Sequence, residues 1–375
     1  MKSVVFIIES LNLGGAEKSL VTLLQNFDFN RYKVDLVTFH TNGFFESFLP
    51  KEVNRICLSF PNINFFDRLI YFFKRKLNNA HNAQLFWSVI GKYFEKHPQQ
   101  YDIAIAYNQG FATYYTSEYI DATEKFCWIN TDYTNAGYKI ELDYAFYKKY
   151  NKVIAVSDAI KKSLHNELEK LNMHLEFEVI KDITDKEILL KQALVEQADV
   201  FSPDKISILT VGRLAVPKGL EMAVEACHLL KKKYHVEWVV VGEGSERKNL
   251  TKLIDEKGLS DDFRLIGAYT NPYPIMKACD IYVQTSHFEG LGLTVIEASY
   301  LNKPIVCTNF PTAHHILKNE ETGLIVEMDA HAIADGVERL INDKGLKNRL
   351  VSNLEKQQNF DKEITLQKVE ELLKG

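Results

Sequence analysis

The chain of 375 residues is long enough for two domains of ordinary size, and its 46% hydrophobic residues can build substantial cores. Its formal net charge of −5 and pI near 6.2 argue against a surface that coats nucleic acid. The five cysteines are scattered and form no C-x-x-C pair, so the sequence indicates neither a disulfide framework nor a zinc knuckle. A reducing cytoplasm fits this pattern.

The N-terminal run VVFIIES predicts a first strand rather than a signal peptide, because its apolar core is short and ends in a glycine turn. Gly14 and Gly15 follow, immediately before a predicted helix that starts at Ala16. Glycines at such a junction let the backbone approach a ligand closely, although most lone glycine pairs are simply strand-to-helix turns. The sequence lacks G-x-G-x-x-G here, so a nicotinamide site is poorly supported.

The segment Asn62–Asn79 interleaves aromatic residues with cations. A basic amphipathic helix of this kind can lie at a membrane interface, and the alternative is a helix packed on its own domain with a solvated charged edge. The residues expected at a membrane contact are Arg68, Phe72, Lys74, Arg75 and Lys76. No stretch approaches the roughly 20 apolar residues that cross a bilayer, so we expect a soluble or peripheral protein.

Strand-like and helical runs alternate along the whole chain, and a second cycle of alternation starts at Lys205. This pattern predicts the α/β class, with two doubly wound Rossmann-like domains that face a central cleft and bind ligands at the carboxyl ends of their strands. The predicted domains cover residues 1–180 and 205–357. The polar segment 181–204 is the predicted linker, and a C-terminal helix at about 358–375 is expected to pack back on the first domain.

The stretch TVGRLAVPKGL places two cations around a proline-containing turn at the end of a predicted strand. Arg213 offers a fork of N–H groups to phosphate oxygens, and Lys218 offers a point charge. Together they are suited to a diphosphate. The alternative is a pair of solvated surface cations, which is the usual situation for such residues.

In HFEGLGLTVIEA, a predicted buried strand gives way to a predicted helix at Gly290 and Gly292. Such a junction offers free backbone N–H groups and the positive end of the helix dipole, which favour anionic oxygens. Glu289 would lie at the mouth of this junction and Glu297 on the first turns of the helix. The alternative is an ordinary solvated loop with a glutamate on the helix surface.

Five motifs occur in a fixed order along the chain: GGAEK, VGRL followed by KG, VVGEG, CDI and FEGLGLTVIEA. This order resembles glycosyltransferase family 4, whose members are retaining sugar-nucleotide transferases of the GT-B fold, here of the type that assembles bacterial polysaccharides. The similarity is strongest from Lys205 to about Glu327, and it is diffuse over residues 30–200, where the family binds acceptors.

The resemblance implies a role for each of these motif residues. Arg213, Lys218 and Glu289 are the expected catalytic residues, because the cations neutralise the departing diphosphate while Glu289 faces the hydroxyls of the donor sugar. Glu297 is expected to accept hydrogen bonds from the ribose. The remaining residues expected to bind the donor are Gly14, Gly15, Gly267, Asn271, Gly292, Leu293 and Thr294. Cations and a helix N-terminus can stabilise the leaving group without Mg²⁺, and with no D-x-D motif we expect neither a metal nor any other cofactor.

The chain departs from the family in its N-terminal domain, where many members carry a histidine near the reaction centre. Here the stretches YNQG and WINTDY offer polar side chains but no histidine. The residues predicted on the acceptor or donor-sugar side are Asn108, Gln109, Asn130 and Asp132. The identity of the donor sugar therefore stays open.

The resemblance implies a retaining hexosyltransferase. It would move a hexose or N-acetylhexosamine from a nucleotide diphosphate sugar, with UDP expected, to a glycan or lipid-linked saccharide during surface polysaccharide or capsule biosynthesis. We expect it in the cytoplasm, peripheral on the inner face of the cell membrane, with an anionic membrane surface but no nucleic acid among its partners. The alternatives are a sugar-nucleotide epimerase of the same fold and a nucleotide-sugar-binding protein without turnover.

Overall fold

The computed structural model of the chain describes residues 1–196, 200–356 and 361–374. These residues form two compact units. The first contains Met1–Ile183 together with the described residues from Asp361 onward, and the second begins at Thr184. Within the described residues, no helix is both long and apolar enough to cross a membrane.

The first unit is built on a seven-stranded parallel sheet with the order β3-β2-β1-β4-β5-β6-β7. In the centre of the sheet, Val4 pairs with Val34 on one side and Ile103 on the other. Both faces are covered, so the central strands are continuous apolar runs, as buried parallel strands require. The strands are β1 (Lys2–Ile8), β2 (Tyr32–Thr38), β3 (Asn54–Cys57), β4 (Gln100–Ala106), β5 (Asp121–Ile129), β6 (Lys152–Ala155) and β7 (Phe177–Val179).

Seven helices belong to the first unit among its described residues: α1 (Gly15–Gln25), α2 (Phe65–Leu77), α3 (Asn82–Ile90), α4 (Phe111–Tyr119), α5 (Ile140–Tyr147), α6 (Asp158–Lys170) and α15 (Asp361–Lys374). The last one is the helix expected at about 358–375, of which residues 358–360 and 375 lie outside the described residues. It is held to the first unit at the central strand β1 and at the edge strand β7. Lys2 Nζ donates to the carbonyls of Leu373 and Lys374 at 2.9 and 2.8 Å, and Lys368 Nζ donates to the carbonyl of Val179 at 2.8 Å.

The second unit contains a six-stranded parallel sheet with the order β10-β9-β8-β11-β12-β13. Its strands are β8 (Ile206–Val211), β9 (Val236–Val241), β10 (Phe263–Leu265), β11 (Ile281–Gln284), β12 (Ile305–Thr308) and β13 (Leu324–Val326). Its described helices are α7 (Lys186–Gln192), α8 (Leu220–Leu230), α9 (Arg247–Glu256), α10 (Tyr273–Ala278), α11 (Leu293–Tyr300), α12 (Ala313–Ile316), α13 (Ala330–Asn342) and α14 (Lys344–Lys356).

Two apolar clusters cover the two faces of this second sheet. Successive residues of a strand alternate between them, so that Ile208 packs in one cluster and Leu209 in the other. Both sheets are therefore doubly wound, and the prediction of two Rossmann-like α/β domains is confirmed.

The segment predicted as a linker, 181–204, contains a helix that packs on the second unit. Leu189 of α7 is buried together with Ala193, Tyr273 and Tyr300. The side-chain amide of Asn271 also donates to the carbonyl of Gln192 at 2.7 Å. Residues 197–199 of this segment lie outside the described residues. The second unit thus begins before Lys205, because apolar side chains of α7 complete its surface.

An ion pair between a buried glutamate and a half-buried arginine in the second unit gives a test of the fold. Glu237 on β9 has a fully buried carboxylate, and Arg264 on β10 donates to it at 2.7 Å. We predict that Arg264→Met lowers the free energy of unfolding by about 3 kcal/mol in urea titrations, because it leaves the buried Glu237 carboxylate without its cation. The double variant Glu237→Gln/Arg264→Met should recover part of the loss, and a cost near zero in the single variant would contradict the assignment.

Candidate active site

The order of the strands defines where a ligand is expected in the second unit. Chain order runs outward from β8 to β10, then restarts at β11 on the other side of β8. In doubly wound sheets, ligands bind outside the carboxyl ends of the strands at such a switch point. The loops after β8 and β11 meet there. They carry the predicted residues Arg213, Lys218 and Glu289.

The loop after β8 is locked against the loop after β11. Its short 3-10 turn, Val216–Lys218, ends at Gly219 with a φ of +56°, and a Cβ at Gly219 would collide with the carbonyl oxygen of Thr285. The Thr285 hydroxyl donates to the carbonyl of Lys218 at 2.9 Å. The N–H of His287 donates to the carbonyl of Pro217 at 2.9 Å. These contacts fix the backbone at Lys218 and therefore the direction in which its side chain leaves the loop.

Glu289 is held by three side chains. Lys218 Nζ donates to both of its carboxylate oxygens, at 2.6 Å to Oε1 and 2.8 Å to Oε2. Oε1 also accepts from Ser286 Oγ at 2.6 Å and from Gln284 Nε2 at 3.0 Å. The Glu289 side chain is only 10% exposed, so it forms a partly desolvated ion pair with Lys218. The structure thus brings together two of the three predicted catalytic residues.

Gln284 connects this ion pair to the next helix. It is fully buried at the end of β11, and its Oε1 accepts from Tyr282 OH at 2.7 Å and Thr294 Oγ1 at 3.1 Å. Burial raises the pKa of the Tyr282 phenol, which keeps it a hydrogen-bond donor. Gln284 and Ser286 are not among the residues predicted from the sequence. The available signal was a polar Gln-Thr-Ser run at the end of an otherwise apolar strand, where parallel sheets place ligand-binding groups.

The predicted helix N-terminus is formed by α11. Its N-cap is Gly292 with a φ of +81°, and a Cβ there would press on Ile316. The first N–H groups of a helix have no partner within the helix, so those of Leu293 and Thr294 point toward its open end. Glu297 lies further along α11 and is only 2% exposed. Burial is the main cause of the raised pKa of the Tyr282 phenol, and the charge of Glu297 contributes to it.

Arg213 is the third predicted catalytic residue. It lies in the loop after β8, is exposed to solvent, and forms no ion pair with another residue of the described ranges. Its charge is therefore available to a ligand, whereas that of Lys218 is shared with Glu289.

Two predicted donor-binding residues lie in the loop after β10. The carbonyl of Gly267 accepts from the N–H of Gly242 at 2.8 Å, which brings the carboxyl ends of β9 and β10 together. Asn271 uses its side-chain oxygen to accept from the N–H of Tyr273 at 3.2 Å, in addition to its contact with Gln192. Both side-chain groups of Asn271 thus already have partners within the protein.

Gly14 and Gly15 lie in the first unit, at the switch point between β1 and β4. Helix α1 begins at Gly15, one residue before the predicted start at Ala16. The carboxylate of Glu17, in the first turn of the helix, occupies the space that a Cβ at Gly14 would need. The anion nearest this helix N-terminus is therefore the chain's own side chain.

The four polar residues predicted on the acceptor or donor-sugar side follow β4 and β5. Gln109 Oε1 accepts from the N–H of Asn130 at 3.1 Å, whereas Asp132 Oδ1 accepts from Ser163 Oγ at 3.3 Å. The side-chain oxygens of Asn108 and Asn130 are buried and have no hydrogen-bond partner among the described residues. Such unsatisfied acceptors are costly, and they are often found where a ligand or water binds.

Asp182, which lies in the predicted linker segment 181–204, joins this group. Asn130 Nδ2 donates to it at 3.4 Å, and burial raises its pKa to about 7. The nearby Ser19 hydroxyl accepts from the N–H of Ile183 at 3.1 Å and contacts Tyr107 OH at the same distance. The available signal was an acidic residue soon after the last strand of the first sheet.

Within the described ranges, no group of three or more His, Cys, Asp or Glu side chains is arranged to hold a metal ion. The expectation of a reaction without metal stays a prediction.

Residues 191–357 match the family model for glycosyl transferases group 1. The chain is 31% identical over 172 residues to the Campylobacter jejuni N-acetylgalactosamine-N,N'-diacetylbacillosaminyl-diphospho-undecaprenol 4-alpha-N-acetylgalactosaminyltransferase, covering 45% of this chain and 46% of that protein. It is equally identical over 175 residues to the capsular polysaccharide biosynthesis glycosyltransferase CapM of Staphylococcus aureus, with the same coverage. The chain thus spans less than half the length of these relatives.

Solved structures match the whole chain. HepE from Anabaena, in complex with UDP and glucose, superimposes with a TM-score of 0.75 at 17% identity, and the match covers 100% of both chains. Sucrose-phosphate synthase from Thermosynechococcus elongatus gives 0.73 at 18% identity, covering 100% of this chain and 98% of that one. The predicted GT-B fold is therefore confirmed. The chain has the fold of GT-B glycosyltransferases, and its second unit carries the sequence match to glycosyltransferases of group 1.

Proposed function

We propose that the protein is a retaining glycosyltransferase of family 4. It transfers a hexose or N-acetylhexosamine from a nucleotide diphosphate sugar to a glycan or lipid-linked saccharide during the assembly of a surface polysaccharide. One observation carries the proposal. The Lys218–Glu289 ion pair lies at the switch point of the second sheet, joined by Gln284 to the first turn of α11. This arrangement combines cations, a carboxylate and a helix N-terminus where a sugar diphosphate would bind.

The cations lower the activation barrier for cleavage of the bond between the sugar and the diphosphate. Negative charge builds up on the diphosphate as the sugar becomes oxocarbenium-like, so groups that stabilise this charge lower the barrier. Arg213 can bind phosphate oxygens with its guanidinium fork. Lys218 has three N–H donors, and Glu289 occupies two of them. The third can reach the diphosphate without breaking the ion pair.

Glu289 is positioned to accept hydrogen bonds from the donor sugar. Its Oε1 already accepts from three side chains, whereas Oε2 accepts, among the described residues, from Lys218 alone. A carboxylate oxygen has two lone pairs, so Oε2 retains the capacity to accept from a sugar hydroxyl. Glu297 then accepts hydrogen bonds from the ribose, and the N–H groups of Leu293 and Thr294 donate to the diphosphate. The loop from Gly267 to Asn271 contacts the base.

UDP is the proposed nucleotide. Several solved structures with the same fold carry it, including HepE from Anabaena with UDP-glucose and the pneumococcal O-GlcNAc transferase GtfA with UDP and GlcNAc. The names of the relatives support a saccharide or lipid-linked saccharide acceptor, since the Campylobacter jejuni enzyme is named for a diphospho-undecaprenol-linked substrate. The polar group of Asn108, Gln109, Asn130 and Asp132 is the proposed acceptor or donor-sugar side. All five cysteines are free, which supports a cytoplasmic location.

The reaction type is tested by following a UDP-sugar with and without a saccharide acceptor, in the presence of a chelator. Release of UDP that requires the acceptor, with retained anomeric configuration in the product, supports the proposal. An epimerase would convert the donor sugar without any acceptor, and a binding protein would consume neither substrate. Loss of activity in the chelator would contradict the expectation that no metal is needed.

We predict that Arg213→Ala and Lys218→Ala each lower kcat by about 100- to 1000-fold, because each removes a charge from the leaving diphosphate. Rates of UDP release check this. Lys248→Ala is the matched control, because it removes an exposed cation from α9 of the same unit. Near-normal rates in both variants would contradict the proposal that Arg213 and Lys218 bind the leaving diphosphate. Thermal unfolding of the Lys218 variant should separate lost chemistry from lost stability.

We predict that the two glutamates differ in their effect on free UDP. Glu297→Gln should weaken its binding by about 10- to 100-fold, since a carboxylate that accepts ribose hydroxyls contributes about 1.5–3 kcal/mol. Glu289→Gln should leave that affinity nearly unchanged and impair transfer. Calorimetric titrations with UDP measure the first effect, and rates of transfer measure the second. The opposite pattern would mean that the roles are exchanged.

A further inference from the structure

Helix α2 of the first unit presents an apolar face to solvent. Within its 13 residues, seven large apolar side chains are between 42% and 82% exposed. At 100° per residue, they fall on one side of the helix. We call this face the aromatic ridge, and its members are Phe65, Phe66, Leu69, Ile70, Phe72, Phe73 and Leu77.

The opposite side of the helix is anchored to the first unit. Asp67 is 4% exposed, accepts from Lys92 Nζ at 3.0 Å and from Tyr93 OH, and its N–H donates to Asn64 at 2.8 Å. The bonds from Tyr93 and Lys92 hold the pKa of Asp67 below its usual range. Tyr71 packs on Phe86 with ring centroids 5.0 Å apart. The ridge therefore faces outward because the other side of α2 is fixed.

The charges on α2 are almost all positive. Asp67 is its only acid, and it points inward to its partners. Arg68 and Arg75 are exposed, lie one heptad apart, and follow one flank of the ridge, while the exposed Lys76 lies within the ridge near its C-terminal end. Lys74 instead donates to Ser88 Oγ at 2.7 Å and is half-buried. Two of the four cations thus border the apolar surface, and a third lies within it.

We infer that α2 lies on an anionic lipid surface, with the aromatic ridge entering the boundary between headgroups and acyl chains. Contiguous apolar surface of this extent is rare on a monomer and marks an interaction site. A convex ridge bordered by cations is complementary to a surface that is apolar inside and anionic outside. Lipids can rearrange around the side chains of a convex helix, whereas a protein partner would need a matching apolar groove with acidic edges. The inference does not depend on glycosyl transfer.

The test is co-sedimentation of the full chain with vesicles of phosphatidylcholine, with and without phosphatidylglycerol. We expect binding to the anionic vesicles that weakens at high salt. The double variant Phe66→Ser/Phe73→Ser, which we call the serine pair, should lower the partition coefficient at least about tenfold, because both side chains are exposed and their ring contacts are with neighbours on the same ridge. Arg75→Gln/Lys76→Gln should lower it about 30-fold, at about 1 kcal/mol per cation.

One control variant and one fluorescent reporter make the result specific. Lys248→Gln/Lys252→Gln removes the same charge from exposed positions on α9, and it should leave vesicle binding unchanged. Phe66→Trp adds an indole to the ridge, and its emission should shift to shorter wavelength with vesicles, since the three native tryptophans are buried.

Three outcomes would overturn the inference. The first is a wild type that stays in the supernatant at low salt. The second is vesicle binding that the serine pair does not reduce. The third is self-association in sedimentation velocity that the serine pair abolishes, which would make a second copy of the chain the occupant of the ridge. Transfer to a soluble acceptor should persist in the serine pair, so a failed vesicle test and a failed transfer assay are distinguishable.

Discussion

The ion pair between Lys218 and Glu289 is the interaction around which the proposed active site is organised. It joins the loops that leave two adjacent strands, β8 and β11, at the point where the chain order of the sheet reverses. A partly buried carboxylate needs several donors, and Ser286 and Gln284 supply them while Gln284 also binds Thr294. The cation proposed to bind a diphosphate and the carboxylate proposed to bind a sugar are therefore held in place within the protein itself.

Much of this could be predicted from the sequence because the signals are local. Apolar strands followed by glycine and an amphipathic helix predict doubly wound sheets, and cations or carboxylates directly after a strand must lie at its carboxyl end. Gln284 was missed because its partners lie on the same strand, the following loop and α11, and the sequence does not show that their side chains converge on it. Asp182 was missed because nothing local predicts that the last strand of the first sheet brings it beside Asn130.

Helix α2 shows the limit of sequence periodicity in a different way. The pattern of aromatic residues and cations predicts an amphipathic helix, but not which of its sides packs on the protein. The anchor depends on Asp67, the single acid, and on Lys92 and Tyr93 from a later segment. Once that side is fixed, the apolar ridge must face outward, and Lys74 is drawn away from it. The chain thus combines a preorganised polar site in one unit with an exposed apolar surface on the other.

The central claim is that the Lys218–Glu289 site binds the diphosphate end of a nucleotide sugar. A crystal structure with UDP tests it most directly. The account predicts the diphosphate against Arg213, Lys218 and the first turn of α11, with the ribose at Glu297 and the uracil along the loop that begins at Gly267. UDP bound elsewhere, or bound there with its phosphates directed away from both cations, would contradict the account.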